Sequence, residues 1–253
     1  MIAKLPDNRL RLDELLVRRA LFATRSRARD AILRGTVRVG GAIVSKPGFA
    51  LSEGSSVETD DAGRAFVSRA ALKLVAGLDH FALSPAGLEA LDIGASTGGF
   101  TQVLIERGAR HVIAVDVGHD QMHSSLLNES RIVRLEGLNA RQLSADHLGG
   151  RPIGFIVSDV SFISLKLALP NALALAESGA HCLLLVKPQF EAGRAAIGKG
   201  GLLKDKALGK VIAQDLSDWL DAQPHWRSLG ICPSPIEGGD GNHEYLLAGI
   251  KGR

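Results

Sequence analysis

Two short runs, IGFIVS (Ile153–Ser158) and HCLLLV (His181–Val186), carry one polar residue each, placed at an end. Strands this apolar are buried on both faces, the situation of a parallel sheet covered by helices. Comparable runs fall at Leu88–Ile93, His111–Asp116, Arg131–Leu135, Arg227–Cys232 and Tyr245–Ile250. Helical spacing fits between them at Phe100–Arg107, Gln121–Leu127, Ser164–Ala176 and Lys204–Asp221. A further helix is expected from about Ser68, with Leu72, Val75, Ala76 and Asp79 marking its turns. Seven strands alternating with helices predict a doubly wound, Rossmann-like α/β domain. No internal repeat or low-complexity tract interrupts it.

The first part of the chain reads differently. Residues 1–46 carry eleven Lys/Arg against four Asp/Glu, whereas the remaining 207 carry 19 against 23. A short basic unit on a mildly acidic body predicts a polyanionic partner. Leu12, Leu15, Leu16 and Ala20 give a first helical stripe, and Thr24 is a plausible N-cap for a second helix carrying Ala28, Ala31, Ile32 and Leu33 and stopping at Gly35. TVRVGGAIV then predicts a hairpin turning at Gly40–Gly41, with another short strand near Val57. This small α+β unit is assigned to residues 1–58, the polar stretch around ETDDAGRA to a linker over 59–66, and the larger domain to 67–253. No apolar run reaches the roughly 18–20 residues that span a bilayer, and MIAKLPDNRLRLDELL lacks a signal-peptide core. Cys182 and Cys232 make neither a disulfide framework nor a zinc site. A reduced, cytoplasmic setting without membrane or metal is expected.

In a doubly wound sheet, ligands sit beyond the carboxyl ends of the strands, where strand order reverses. The first strand–loop–helix here is LDIGASTGGFTQVLIERG, Leu91–Gly108. Its glycines let a backbone approach a ligand closely, and the helix that follows presents free N–H groups. The spacing is G-x-x-x-G-G from Gly94 to Gly99, not the G-x-G-x-x-G of dinucleotide binders, and no G-K-[ST] lysine marks a P-loop. Asp116, ending the second strand, suits the hydroxyls of an adenosine ribose. NAD satisfies the ribose part of this pattern but wants its pyrophosphate at the turn. A cofactor with an amino-acid tail and no phosphate, S-adenosylmethionine, better suits a loop headed by Asp92 and carrying Ser96 and Thr97. The expected cofactor set is Asp92, Gly94, Ser96, Thr97, Gly98, Gly99, Phe100, Asp116, Val117, Asn139 and Asp159.

Later strands end in Asp159 (FIVSDVSFISL) and Lys187 (LLLVKPQFE). Alone, the first reads as a turn residue and the second as a surface lysine; together on neighbouring strand tips they favour chemistry. The N/D-P-P-Y/F sequence of base methyltransferases is missing, and neither cysteine falls where a nucleophile for carbon methylation belongs. An Asp with a Lys points instead to an acceptor hydroxyl.

At this point the chain resembles the TlyA, or hemolysin A, family of ribosomal RNA 2′-O-methyltransferases, which join an S4-type RNA-binding domain to an FtsJ-like methyltransferase. The resemblance runs nearly end to end, through RLDELLVRR, VSRAALKL, LDIGASTGGFT, SDVSFISL, VKPQFE and GNHEYLL. It implies S-adenosylmethionine as cofactor and a catalytic tetrad at Lys73, Asp159, Lys187 and Glu244. It also implies RNA contacts at Arg11, Arg25 and Lys46. Without it, Lys73 reads as a helix-surface charge and Glu244 as a strand-start carboxylate. The chain departs from the family pattern at Ala70, where glycine is commoner, and at GLLKDKA, where V-x-D-P is expected. The family's short form methylates a cytidine ribose of large-subunit rRNA and its longer form also acts on the small subunit. Because the chain stops soon after EYLLAGIKGR, the large subunit is the expected partner. Three rivals remain: an NAD-dependent oxidoreductase, a non-catalytic ribosome-assembly factor with a vestigial pocket, and a membrane-active cytolysin.

Overall fold

The computed structural model describes residues 9–252; the first eight residues, read above for a signal-peptide core, and Arg253 lie outside it. The chain divides into two compact units, ending and beginning at Ala65 and Phe66.

The first unit opens with β1 (Arg9–Arg11), α1 (Leu12–Arg18) and α2 (Arg25–Leu33). It continues through β2 (Val37–Val39), β3 (Ala42–Ile43), β4 (Ala50–Ser52) and β5 (Val57–Thr59). Leu12, Leu15 and Leu16 of α1 pack fully buried against Ala28, Ala31 and Ile32 of α2. Ala20 lies beyond α1, at a φ of +54°. The Thr24 hydroxyl accepts the Arg27 N–H at 3.3 Å, satisfying a donor that the first turn of a helix leaves free. β2 pairs with both β3 and β5, and β1 pairs with β4. β1 and β4, three residues each, are too short to show a period in the sequence. The stretch expected as a linker, residues 59–66, is instead largely built into this unit. Thr59 closes β5 opposite Val37, Asp61 is buried with the Arg34 guanidinium 2.7 Å from its carboxylate, and Ala62–Ala65 forms a 3₁₀ turn. The polar composition that suggested a linker is that of an ion pair sealing a small domain.

The second unit begins with α3 (Ala71–His80), β6 (Glu89–Ile93), α4 (Gly99–Glu106), β7 (His111–Asp116) and β8 (Ile132–Glu136). Then follow α5 (Ala145–Leu148), β9 (Ile153–Ser158), α6 (Leu165–Ala168), α7 (Pro170–Leu175) and β10 (Ala176–Val186). It closes with α8 (Pro188–Glu191), α9 (Leu208–Asp221), β11 (Trp226–Pro233) and β12 (Tyr245–Lys251). The strand order is β11-β12-β10-β9-β6-β7-β8. Strands β10, β9, β6, β7 and β8 pair in parallel, while β12 pairs antiparallel with both neighbours. The sheet is the expected seven-stranded one, parallel over five strands and made mixed by the antiparallel β12. β12 is central enough to be buried on both faces, so its composition does not betray its direction.

Side chains alternate between two cores. Leu91, Ile93, Ile113, Ile156 and Leu184 pack with α6, α7 and α9 on one face, and Ala90, Val112, Val157, Leu183 and Leu185 with α3 and α4 on the other. Two expected helices are reduced. Only Ser124–Leu126 winds, as a 3₁₀ turn, within Gln121–Leu127. Ser164–Ala176 splits into α6 and α7 at Pro170, which has no N–H to continue the first helix. The last helix starts at Leu208 instead of Lys204, because residues 198–206 form a loop held by another part of the chain. Strand order reverses between β6 and β9, and there the site lies.

Candidate active site

The turn after β6 is tight because β9 ends beside it. Gly94 adopts a left-handed φ of +86°, and a Cβ there would stand 3.0 Å from the Asp159 carbonyl oxygen. Only glycine fits without moving the tip of β9. The space so kept opens into a cleft of about 480 Å³ lined by Gly94, Ser96, Asp116, Val117, Asn139 and Asp159, with Gln121, Leu138, Ser161 and Phe162 among its other walls. Asp116 is fixed at its edge: its two oxygens accept the Ser96 N–H at 2.8 Å and the Gly118 N–H at 2.7 Å. Each oxygen keeps a lone pair for a hydroxyl. Ser96 itself has a φ of +45°, an unfavourable backbone for a non-glycine residue. The Asn139 side chain caps the next turn by accepting the Arg141 N–H at 3.0 Å.

A smaller hollow adjoins this cleft, between the start of α4 and that of α3, lined by Ser68, Ala70, Thr97, Gly99 and Phe100, with Gly94, Ser96 and Asp159 shared. Ala70 has an ordinary helical φ of −54°, so nothing at that position requires glycine. Two members of the expected cofactor set do not line either space. Gly98 turns the chain at a φ of +88° above Leu126 and Met122. Asp92 is fully buried below the loop, where its Oδ2 accepts the Thr101 hydroxyl at 2.6 Å and its Oδ1 has no hydrogen-bond partner. Burial pushes the Asp92 carboxyl up to about 7; the Thr101 bond opposes the rise and the nearby Asp159 and Asp116 reinforce it. Both residues shape the loop from behind.

At the Asp159 tip four charged side chains from four elements, Asp159 among them, come close enough to act on one another. Lys187, following β10, approaches the Asp159 carboxylate at 2.6 Å and donates to the Ser161 hydroxyl at 2.8 Å. Lys73 of α3, 5 % exposed, is ion-paired with Glu244, 4 % exposed, at the foot of β12. Burial raises the Glu244 carboxyl above its ordinary range, against the pull first of Lys73 and then of Lys187. The structure thus brings Lys73, Asp159, Lys187 and Glu244 together as two ion pairs. Beside them Phe162 stands 88 % exposed at a φ of +65°, its ring 4.9 Å from that of Phe190.

Several residues of this region escape a sequence reading. Gln121, whose Oε1 accepts the Ser96 hydroxyl at 3.1 Å, lies in a segment read as plain helix. Ser161 and Phe162 stand in SDVSFISL, but only Asp159 among them carries a charge that marks a strand tip. Asn242, 4 % exposed, accepts the Leu203 N–H at 3.1 Å and donates to the Gly201 carbonyl and to Asp240, both at 2.9 Å. Gln189 donates to the same Asp240 carboxylate at 3.1 Å. This network ties the strand of Lys187 to that of Glu244.

In the first unit, Arg11 and Arg25 share one carboxylate. Arg11 reaches Asp13 at 3.0 and 3.1 Å, and Arg25 reaches it at 3.1 Å. Burial works against the Asp13 charge, but the hydrogen bonds from Arg11 and Arg25 outweigh it and hold the carboxyl below its ordinary range. The Lys46–Phe49 turn is fastened to the same place, since the Leu12 and Asp13 N–H groups donate to the Phe49 and Pro47 carbonyls. Arg11 and Arg25 keep half or more of their side-chain surface exposed, and Lys46 is exposed.

Among the described residues no group of His, Cys, Asp and Glu is arranged to hold a metal ion, and no helix is long and apolar enough to cross a membrane. Both cysteines are buried, and burial pushes both thiols up, away from the thiolate a nucleophile needs.

Comparison with known proteins agrees with this division. The profile of FtsJ-like methyltransferases matches residues 66–251 and that of the S4 domain matches residues 10–57. The chain is 44 % identical over 247 residues to the 16S/23S rRNA (cytidine-2′-O)-methyltransferase TlyA of Mycobacterium tuberculosis, covering 94 % of this chain and 89 % of that one. It is 37 % identical to Hemolysin A of Brachyspira hyodysenteriae, over 94 % of this chain and 98 % of the relative. A solved Streptococcus thermophilus protein with a hemolysin name superposes with a TM-score of 0.73 at 35 % identity, covering 96 % of this chain and 89 % of the other. The chain belongs to the FtsJ-like methyltransferases, in the TlyA family that sets an S4 domain ahead of the catalytic one.

Proposed function

We propose that the protein transfers a methyl group from S-adenosylmethionine to a ribose 2′-hydroxyl of ribosomal RNA, at a cytidine of the large subunit. The observation that carries this reading is the meeting of the Lys187–Asp159 and Lys73–Glu244 pairs with a cleft that fits the cofactor. The left-handed Gly94 cradle keeps that cleft open, and the Asp116 carboxylate retains acceptor capacity for a ribose. Ser96, Asp116, Val117 and Asn139 would hold the nucleoside part, and Thr97, Gly99 and Phe100 the amino-acid tail. When bound, the cofactor supplies a methyl group on a sulfonium, which needs no further activation.

The protein's task is then to align and to handle one proton. Lys187 is the side chain best placed to meet the acceptor hydroxyl, being ion-paired on one side with Asp159 and hydrogen-bonded on the other to Ser161 at the cleft wall. In this arrangement Lys187 acts as a donor held by a carboxylate. It would stabilise the oxygen as charge develops there, in a partly dehydrated setting where such a contact is worth most, with water accepting the hydroxyl proton. Lys73 and Glu244 add a second, buried ion pair near Lys187. Large-subunit rRNA is supported because the M. tuberculosis relative, named for both subunits, and a Campylobacter jejuni relative, named for 23S rRNA alone, have it in common. Arg11, Arg25 and Lys46 would bring phosphate contacts from the S4 unit.

Lys187→Ala should reduce methylation of large-subunit rRNA by about 100-fold or more, the scale of a lost proton-handling or charge-stabilising group. Cofactor affinity, measured by equilibrium dialysis, should stay within about threefold, since Lys187 is not among the residues lining the cofactor cleft and meets it only through Asp159 and Ser161. Equal loss of both would overturn the assignment.

A further inference from the structure

We propose that the segment Arg194–Lys210 of the methyltransferase unit is a second RNA-gripping surface, holding phosphates that flank the target ribose. The inference rests on the reading of the chain as an rRNA 2′-O-methyltransferase. Its starting point is a charge imbalance. Residues 192–210 carry Arg194, Lys199, Lys204, Lys206 and Lys210 against Asp205 alone, while the rest of the chain from Phe66 onward carries 13 Lys/Arg against 18 Asp/Glu. All five cations are exposed, and none forms an ion pair with a carboxylate among the described residues. Lys204 donates to the Ala195 carbonyl at 2.9 Å, a contact that leaves its charge uncompensated. Like charges this close in the chain repel one another, so their net charge opposes folding and does not add to it.

The segment is also held rigidly where a substrate must pass. Ile197 and Leu203 form a bridge, the Gly198 N–H donates to Leu202 O at 2.7 Å, and the Lys204 N–H donates to Ala196 O at 3.0 Å. Asn242 then clamps its tip through Gly201 and Leu203. The clamp stands two residues before Glu244, and α8 at the other end of the segment begins at the residue after Lys187. The cations therefore project from a frame fastened to both catalytic strand tips. RNA presents a negative charge at every nucleotide whatever its sequence, and a ribose brought to Lys187 carries phosphates on both sides. Exposed cations on a loop tied to those tips suit such a chain of phosphates, and the affinity they give falls with salt. The GLLKDKA sequence, which departs from the family pattern, contributes Lys204 and Lys206 to these cations.

The test compares the full chain with Arg194→Gln/Lys199→Gln/Lys206→Gln, binding a large-subunit rRNA transcript between 50 and 300 mM KCl. Losing three phosphate contacts should shallow the slope of log affinity against log salt by about 2–3, at roughly 0.7–0.9 per contact. Affinity at 0.1 M salt should fall at least tenfold, with binding of S-adenosylmethionine within twofold of the parent. Arg110→Gln/Arg227→Gln, which removes exposed cations from the opposite end of the sheet, should leave the slope unchanged. An unchanged slope in the triple variant, or an equal change in the control, overturns the proposal. Should the parent chain transfer no methyl group while the triple variant still shallows the slope, the reaction is wrong and the surface stands. A parent that methylates with a slope the triple variant does not alter removes the surface alone.

Discussion

Removing one partner of the Lys73–Glu244 pair should cost far more than removing both. The pair lies among α3 and β12 side chains, with 7 % and 2 % of the two side chains accessible. Lys73→Met leaves the Glu244 carboxylate buried without its nearest counter-charge, and Glu244→Leu leaves a buried ammonium. Either single change is expected to cost about 3–5 kcal/mol, whereas Lys73→Met/Glu244→Leu, an apolar replacement of similar volume, should come within about 1 kcal/mol of the parent or exceed it. Both tryptophans, Trp219 and Trp226, fall in the methyltransferase unit, so their fluorescence during urea unfolding reports that unit alone.

The pH dependence separates the two single variants. Burial already raises the Glu244 carboxyl, and loss of Lys73 removes the largest force opposing that rise. A carboxyl raised in the folded state favours folding when protonated, and its contribution is lost as pH climbs through the folded value. The deficit of Lys73→Met should therefore shrink between pH 8 and pH 5.5, while that of Glu244→Leu should not. Single variants each costing under about 1 kcal/mol and adding simply in the double would refute the reasoning, because they would mean that water reaches the pair. Methyl transfer should be lost in all three variants, including the double that regains its stability.

Asp92 carries a second pH signature of the same sign. With its carboxyl near 7 in the fold against an ordinary 3.8, unfolding free energy should fall by about 3 kcal/mol as pH rises from 4 to 7; Asp92→Asn should flatten that slope in urea melts, and an unaltered slope would assign it elsewhere. Gly94→Ala places a Cβ 3.0 Å from the Asp159 carbonyl oxygen in a left-handed backbone. Cofactor affinity by calorimetry should drop at least tenfold, with about 1–3 kcal/mol of stability lost to strain; parent-like binding would deny the cradle its role. Asn242→Ala releases the tip of the 198–203 loop, and methylation should fall severalfold with cofactor affinity unchanged, whereas the exchanged pair Asp240→Asn/Asn242→Asp, which can restore one bond across the turn, should recover part of it. Phe162→Ala should raise the KM for RNA more than it changes cofactor affinity, because the exposed ring borders the cleft without being buried in it.

What was legible in the sequence follows from where each constraint acts. The cofactor turn is local: a strand, a glycine at positive φ and a helix start occupy ten consecutive residues, and their spacing separates this turn from dinucleotide and triphosphate loops. Asp116, Asp159 and Lys187 were visible for a related reason, since a charge ending an apolar strand has few places to go but a cleft. Lys73 and Glu244 have no such signal. One lies on a helix face and the other precedes a strand 171 residues later, and only the reversed entry of β12 beside β10 brings them into contact. That reversal is itself silent in composition, because a central strand is apolar whichever way it runs. Family resemblance supplied the two residues, and the fold supplies the reason: each neutralises a charge the other could not bury alone. The same argument explains why Asp92 lies below the loop and lines neither space. An acidic residue ahead of a glycine turn looks like a ligand, yet β6 alternates, and the position that sends Leu91 and Ile93 into one core sends Asp92 into the other. Its carboxyl meets Thr101 in place of solvent, so Asp92 shapes the turn from within the core, and the groups the tight path leaves exposed are the Ser96 and Thr97 positions.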